Sequence, residues 1–279
     1  MRGRLIKFAL MFLVVILLSA STNFVARGPQ SLETLSAQVH LPEFAENDPA
    51  LLAPPFRKFV SFMDEELDST NTVGAAYTIV HRGEILYTGT YGVCENGSRH
   101  KVDEHTLFRL ASVSKGFAGV LASILDQDGI FSLNDRVVDH YPGFTLKDSV
   151  STAELSIRNL LSHTTGLVPY AFDNLVEADQ DLYTIIDRLD EVNISAPPGE
   201  LYGYQNVMFS ILDPIARKTT GIPYQDLLQE RIFIPLGMTD ASAGPVHLER
   251  NSNLAYPHVR TKRGYQVLHP HEGYYNVLP

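Results

Sequence analysis

The residues Phe117, Val120, Leu121, Ile124 and Leu125 recur at helical spacing, and Gly129 stands where such a helix would end. The spacing predicts a helix over 114–128 with one face in a core. Its head is Ser112-Val113-Ser114-Lys115. A serine and a lysine three positions apart share one face of a helix, with about 5–6 Å between their Cβ atoms. That is close enough for the amine to hold or take the hydroxyl proton, and a serine hydroxyl is a weak nucleophile until a neighbour does so. Ser112 falls at or just before the helix N-terminus, where backbone amides lack helical partners and the dipole favours negative charge. One such amide is suited to an oxyanion. A plainer use of Ser112 or Ser114 is to cap the helix. The two uses are compatible, since a cap position also exposes its hydroxyl.

Tyr204-Gln205-Asn206 follows much later in the chain and offers a phenol and an amide. Short motifs of this kind recur by chance. Ser98-Arg99-His100-Lys101 repeats the first spacing in a polar stretch with no apolar helix behind it. Tyr274-Tyr275-Asn276 and Ser132-Leu133-Asn134 repeat the second. What sets Ser112 apart is the helix that follows it.

The 279 residues suffice for one large domain or two small ones, and 44% apolar with 19% charged residues fits a globular chain. The net charge is −10, with Lys and Arg scattered, so nucleic-acid binding has no electrostatic support. Cys94 is the sole cysteine, which excludes an internal disulfide and zinc-finger-type sites. It reads as an inert, half-buried residue on a strand. His269-Pro270-His271-Glu272 looks metal-like but lies in an irregular tail, so no metal or cofactor is expected. Asn96-Gly97-Ser98 and Asn193-Ile194-Ser195 are glycosylation sequons, relevant only in a eukaryotic secretory host.

Arg2, Arg4 and Lys7 precede thirteen uncharged residues, Phe8 to Ala20. As a helix this run spans ~20 Å, short of the ~30 Å bilayer core. Residues 1–26 therefore read as a secretory signal peptide, with an uncleaved anchor as the alternative. The expectation is an exported protein, periplasmic or extracellular, or held to a membrane by residues 5–20 alone. Residues 27–50 read as a linker and 51–279 as the folded domain.

Phe56, Phe59, Val60, Met63 and Leu67 predict an amphipathic helix starting near Pro54 or Pro55. Val73 to Val80 and Ile85 to Val93 read as a hairpin around His81-Arg82-Gly83-Glu84. Further helices are expected at 156–162, 180–191 and 206–219, the last kinked or split by Pro214, with one more from Pro223 to about Arg231. From 241 onward the pattern is loop-rich, so the chain is expected not to return to strand.

Several segments, in order, resemble the serine β-lactamases of class C and their penicillin-binding, esterase and D-peptidase relatives. They are Val73-Gly74-Ala75-Ala76, Tyr91-Gly92-Val93, and Thr106-Leu107-Phe108-Arg109-Leu110-Ala111-Ser112-Val113-Ser114-Lys115. Then come Leu160-Leu161-Ser162-His163-Thr164-Thr165-Gly166-Leu167, Pro198-Gly199, Tyr204-Gln205-Asn206 and Pro235-Leu236-Gly237-Met238. The resemblance implies an α+β fold, a mainly helical region beside an antiparallel sheet. It implies Ser112 as the acylated nucleophile, Lys115 lowering its proton affinity, and Tyr204 as base or proton relay. Asn206 would bind the substrate amide and the lysine. His163 is expected to be structural, at a helix end stopped by glycine. Gln205 stands where a small residue is usual, and Thr165 where serine is common.

The family also carries Lys-Thr-Gly or His-x-Gly on a late strand, whose edge supplies a second oxyanion amide. Lys218-Thr219-Thr220-Gly221 closes the helix after Asn206 and is not that motif. His271-Glu272-Gly273 comes too early and has no alternating pattern around it. The resemblance thus implies a chain that ends inside the family fold, with its sheet incomplete. The function expected is an exported serine hydrolase acting on a β-lactam, a D-Ala-D-Ala-type peptide or an ester. Its partner would be a small-molecule or peptidoglycan-derived substrate. The alternative is a non-catalytic binding or structural protein, or an inactive fragment, on the same fold.

Overall fold

The computed structural model describes residues 48–244 and 253–268. The leader-like run, most of the linker, and the tail holding His269 to His271, Tyr274 and Asn276 lie outside the described residues.

Asp48 accepts from the Ala50 amide and caps a short 3-10 turn over Pro49–Leu51. Helix α1 (Pro54–Ser69) follows, opened by its two prolines, which fit a first turn because no helical acceptor awaits their missing N–H. Strands β1 (Gly74–His81) and β2 (Glu84–Gly92) form the expected antiparallel hairpin. His81 pairs with Glu84 across a two-residue loop, and Arg82 and Gly83 both have positive φ (55° and 85°), the backbone of a type I′ turn. Helix α1 lies on this hairpin through Leu52, Val60 and Ile79, with Phe56, Tyr77, Leu86 and Tyr87 packed around them. Of the five apolar residues that marked the helix only Val60 is buried, and Phe59 is exposed.

The larger core belongs to the helices. They are α2 (Lys115–Gln127), α3 (Val137–His140), α4 (Ser149–Glu154), α5 (Ile157–Leu161), α6 (Asp173–Glu177), α7 (Leu182–Ile186), α8 (Asn206–Ser210), α9 (Leu212–Thr220) and α10 (Tyr224–Leu228). A π-helical turn over Gln229–Phe233 extends α10. Helix α2 buries Ala118, Leu121, Ala122 and Leu125 at i, i+3, i+4, i+7 spacing, while Val120 points outward. Gly129 follows it with φ 71°, the left-handed position that ends helices. The apolar segment Val207, Met208, Phe209, Ile211 and Leu212 is fully buried, so the residues just before it are held against the core.

Two expectations change. The 206–219 helix is split, but at Ile211 rather than at Pro214, which sits in the first turn of α9. A proline there removes an N–H that has no helical acceptor, so it starts the second helix instead of kinking one. The chain also returns to strand. Leu107–Phe108 (β3) pairs in parallel with Leu254–Ala255 (β4), and His258–Thr261 (β5) pairs with Gly264–Val267 (β6) as a hairpin. The first pair is two residues long and the second carries Arg260, Lys262 and Arg263, so neither shows an apolar alternation to read. The β5–β6 hairpin is tied to the turn after β2. Asn96 donates its backbone N–H to His258 Nε2 (3.0 Å) and its side-chain amide to the Tyr265 carbonyl (2.9 Å).

Cys94 is buried rather than half-buried, and lies in the bend just past β2 rather than on the strand. Its thiol points at the Lys101 carbonyl and Asn253 Oδ1 (3.6 and 3.8 Å), and burial raises its pKa, which suits an inert thiol.

Candidate active site

Ser112 lies in a 3-10 turn, Ala111–Ser114, that runs directly into α2. Ala111 has φ 47°, a left-handed backbone that costs a non-glycine residue about 1–2 kcal/mol. The chain turns sharply there out of the segment following β3, leaving Ser112 exposed at the head of the helix. Neither Ser112 nor Ser114 makes a capping bond, contrary to the plainer reading. The Ser112 hydroxyl is occupied elsewhere, by the other motif residues.

Lys115 Nζ is 3.4 Å from Ser112 Oγ and 2.9 Å from Asn206 Oδ1. Tyr204 Oη is 2.8 Å from Ser112 Oγ. Lys115 Nζ also lies over the faces of Tyr204 and Phe209, 5.1 and 5.3 Å from the ring centroids. All four residues named from the sequence therefore meet at one place. The Ser98 match does not join them. Ser98 sits in a turn where its hydroxyl accepts from the His100 amide.

The second motif is placed by a web of backbone bonds. Gly203 donates to the His163 carbonyl (2.8 Å), Gly199 to Thr164 (2.8 Å) and Ser195 to Gly166 (2.7 Å). Tyr170 donates to the Tyr204 carbonyl (2.8 Å). The segment Ser162 to Leu167 thus serves as the template along which 194–204 is laid. His163 has the structural role expected. It is buried, stacked on Phe209 (5.3 Å) and near Tyr204 (4.4 Å), and its Nδ1 accepts from the Gln205 amide at 3.2 Å. An imidazole that accepts at Nδ1 carries its proton on Nε2 and must stay neutral. Burial, helped by the positive charge of Lys115, lowers its pKa to about 4 in agreement.

Two residues have roles that motif reading did not reveal. Gln205 is fully buried; its Oε1 accepts from the Ala171 amide at 3.2 Å and its Nε2 donates to the Val168 carbonyl. A long amide here ties the 168–171 loop to the motif, which a small residue could not do. Asp173, at the start of α6, accepts from Asn206 Nδ2 at 2.8 Å. It lies thirty-three residues away from Asn206, in a segment with no periodic or motif signal, so sequence offered nothing to single it out.

Comparison with known proteins follows from this geometry. Residues 59–272 match the family model described as Beta-lactamase, and the chain belongs to that family. Penicillin-binding protein 4* of Bacillus subtilis (strain 168) is 30% identical over 214 residues, covering 73% of this chain and 46% of that protein. Among solved structures, a class C beta-lactamase superposes with a TM-score of 0.63 at 23% identity, over 78% of this chain and 58% of that one. EstCE1, described as a hydrolase with promiscuous acyltransferase activity, gives a TM-score of 0.64 at 21% identity, over 76% and 58%. These likenesses establish the α+β, β-lactamase/transpeptidase-like fold. The chain spans less than half the length of the curated relatives it matches.

Proposed function

We propose that this protein is a serine hydrolase that works through an acyl-enzyme on Ser112. The observation that carries the reading is the convergence on one hydroxyl of an amine at 3.4 Å and a phenol at 2.8 Å, from segments ninety-two residues apart. Ser112 Oγ attacks the substrate carbonyl and its proton passes to Lys115, in the amine form. Tyr204 relays that proton to the leaving nitrogen or oxygen as the carbonyl–leaving-group bond breaks. Water then cleaves the Ser112 ester, giving its proton back through the same pair and releasing the acid. Such proton transfers contribute roughly 10²–10⁴ in rate. The Ser112 amide, in the first turn ahead of α2, would supply one donor to the oxyanion.

The substrate is a carbonyl compound open to acyl transfer: a β-lactam, a D-Ala-D-Ala-type peptide or an ester. The penicillin-binding, β-lactamase and hydrolase descriptions of its relatives support that range. Nitrocefin, a D-Ala-D-Ala peptide and p-nitrophenyl butyrate, assayed side by side, select among them. Turnover of at least one is expected, with a loss of 10³-fold or more in Ser112→Ala. Folded protein that turns over none of them, or a Ser112→Ala variant as active as the parent, points to a binding role instead.

The basic start and the apolar run from Phe8 to Ala20 support export, to a periplasm or the exterior. Among the described residues no helix is long and apolar enough to cross a membrane. N-terminal sequencing of protein recovered from the exported fraction is expected to begin beyond Ala20. Retention of the whole chain in the cytosol would contradict export.

A further inference from the structure

Asn206 presents two ends of nearly equal shape, a carbonyl oxygen and an NH₂ group. The end facing Lys115 matters, because an amine that is to take the Ser112 proton must keep its lone pair for that hydroxyl and donate its N–H elsewhere. With the oxygen toward Lys115 there is a 2.9 Å hydrogen bond; with the NH₂ there, two donors would meet. The other contacts of Lys115 are Ser112 itself and the faces of two rings, which constrain the amine weakly. On the far side of Asn206 stands Asp173, whose Oδ2 accepts from the NH₂ at 2.8 Å. A one-sided acceptor at one end of an amide dictates what the other end presents.

We propose that Asp173 is the positioning residue of this site: by holding the Asn206 NH₂ it turns the amide oxygen toward Lys115 and so keeps the amine beside Ser112. The proposal rests on the serine-hydrolase reading above and extends it by one residue. Asp173 Oδ1 is buried without a hydrogen-bond partner among the described residues, so the bond from Asn206 to Oδ2 is the side-chain contact that holds this carboxylate. Burial raises the pKa of Asp173, opposed by the bond from Asn206 and by the positive Lys115, while Glu177 on the same helix adds to the rise. A poorly solvated acid one amide away from a lysine is the kind of group found at functional sites.

The test measures the rate at which a fluorophosphonate labels Ser112, as a function of pH, in the parent and in Asp173→Ala, Asp173→Leu and Asp173→Asn. Asp173→Ala and Asp173→Leu should label about 10²-fold more slowly, the usual consequence of a misplaced reacting group. Asp173→Asn keeps an acceptor of the same shape and should stay within about tenfold of the parent. Its acid limb should move to lower pH, because proton loss from the site no longer works against a neighbouring carboxylate. If the alanine and leucine variants fail to fold, the asparagine variant decides by its pH profile alone. Folded variants that match the parent in rate and profile would overturn the proposal. So would equal slowing in all three with an unmoved acid limb, which marks a structural role only. Absence of Ser112 labelling in the parent would instead overturn the underlying serine-hydrolase reading, and this proposal with it.

Discussion

Replacing Lys115 with alanine is expected to slow acylation of Ser112 by about 10³-fold or more while leaving the protein folded. The amine touches the hydroxyl, the Asn206 oxygen and two ring faces, so its loss removes the proposed proton acceptor and leaves the Asn206 carbonyl without its hydrogen-bond donor. Lys115 is only half-buried at the start of α2, and the core face of that helix is Ala118, Leu121, Ala122 and Leu125. Stability should therefore change by about 1 kcal/mol or less. Thermal unfolding followed by circular dichroism, together with labelling rates, separates the two effects. Labelling at the parental rate would remove Lys115 from the mechanism. A collapse of the fold would show that the residue holds the structure together rather than the chemistry.

Gly166→Ala is expected to do the opposite, destabilising the fold first and activity only in consequence. Gly166 has φ 85°, and a Cβ built there would lie 2.0 Å from the Ala196 carbonyl oxygen. That oxygen belongs to backbone, which cannot swing aside as a side chain can. The neighbouring bonds from the Ser195 and Ala196 amides to the Gly166 carbonyl hold the two segments in place. The strained φ and the clash together should cost about 3 kcal/mol or more. This is the junction that lays 194–204 along the His163 segment, so Tyr204 and Asn206 would lose register with Ser112. A fall in the urea midpoint with an unchanged slope is the expected observation. An unaltered midpoint would mean the junction is looser than its bonding pattern.

How much of this was visible in the residues varies with the kind of signal. Helix α2 and the β1–β2 hairpin were legible because each is written locally, in a 3.6-residue apolar period and in a tight turn at Arg82-Gly83. Ser112 and Lys115 were legible because their pairing is a property of one helix turn. Tyr204 and Asn206 came only through resemblance, since no local rule brings them to Ser112; the backbone bonds from Gly199 and Gly203 do that. Strands β3 to β6 were missed because they are two to four residues long and partly charged. The alternative use of Ser112 as a helix cap is not seen, because its hydroxyl turns to Tyr204 and Lys115 instead of to the helix amides. Asp173 was invisible for a different reason. Its meaning lies wholly in a contact across the fold, and an aspartate at the head of a short helix looks like any other first-turn acid.

The claim that the hydroxyl at position 112 is the acylated atom has a direct check. The protein is treated with a fluorescent penicillin and, separately, with a fluorophosphonate, then digested with trypsin and mapped by mass spectrometry. Cleavage after Arg109 and Lys115 releases Leu110–Lys115, and fragmentation within it distinguishes Ser112 from Ser114. The account predicts one adduct per chain with at least one of the two reagents, on Ser112. An adduct on Ser98, Ser114 or any other residue, or none at all on folded protein, would contradict it.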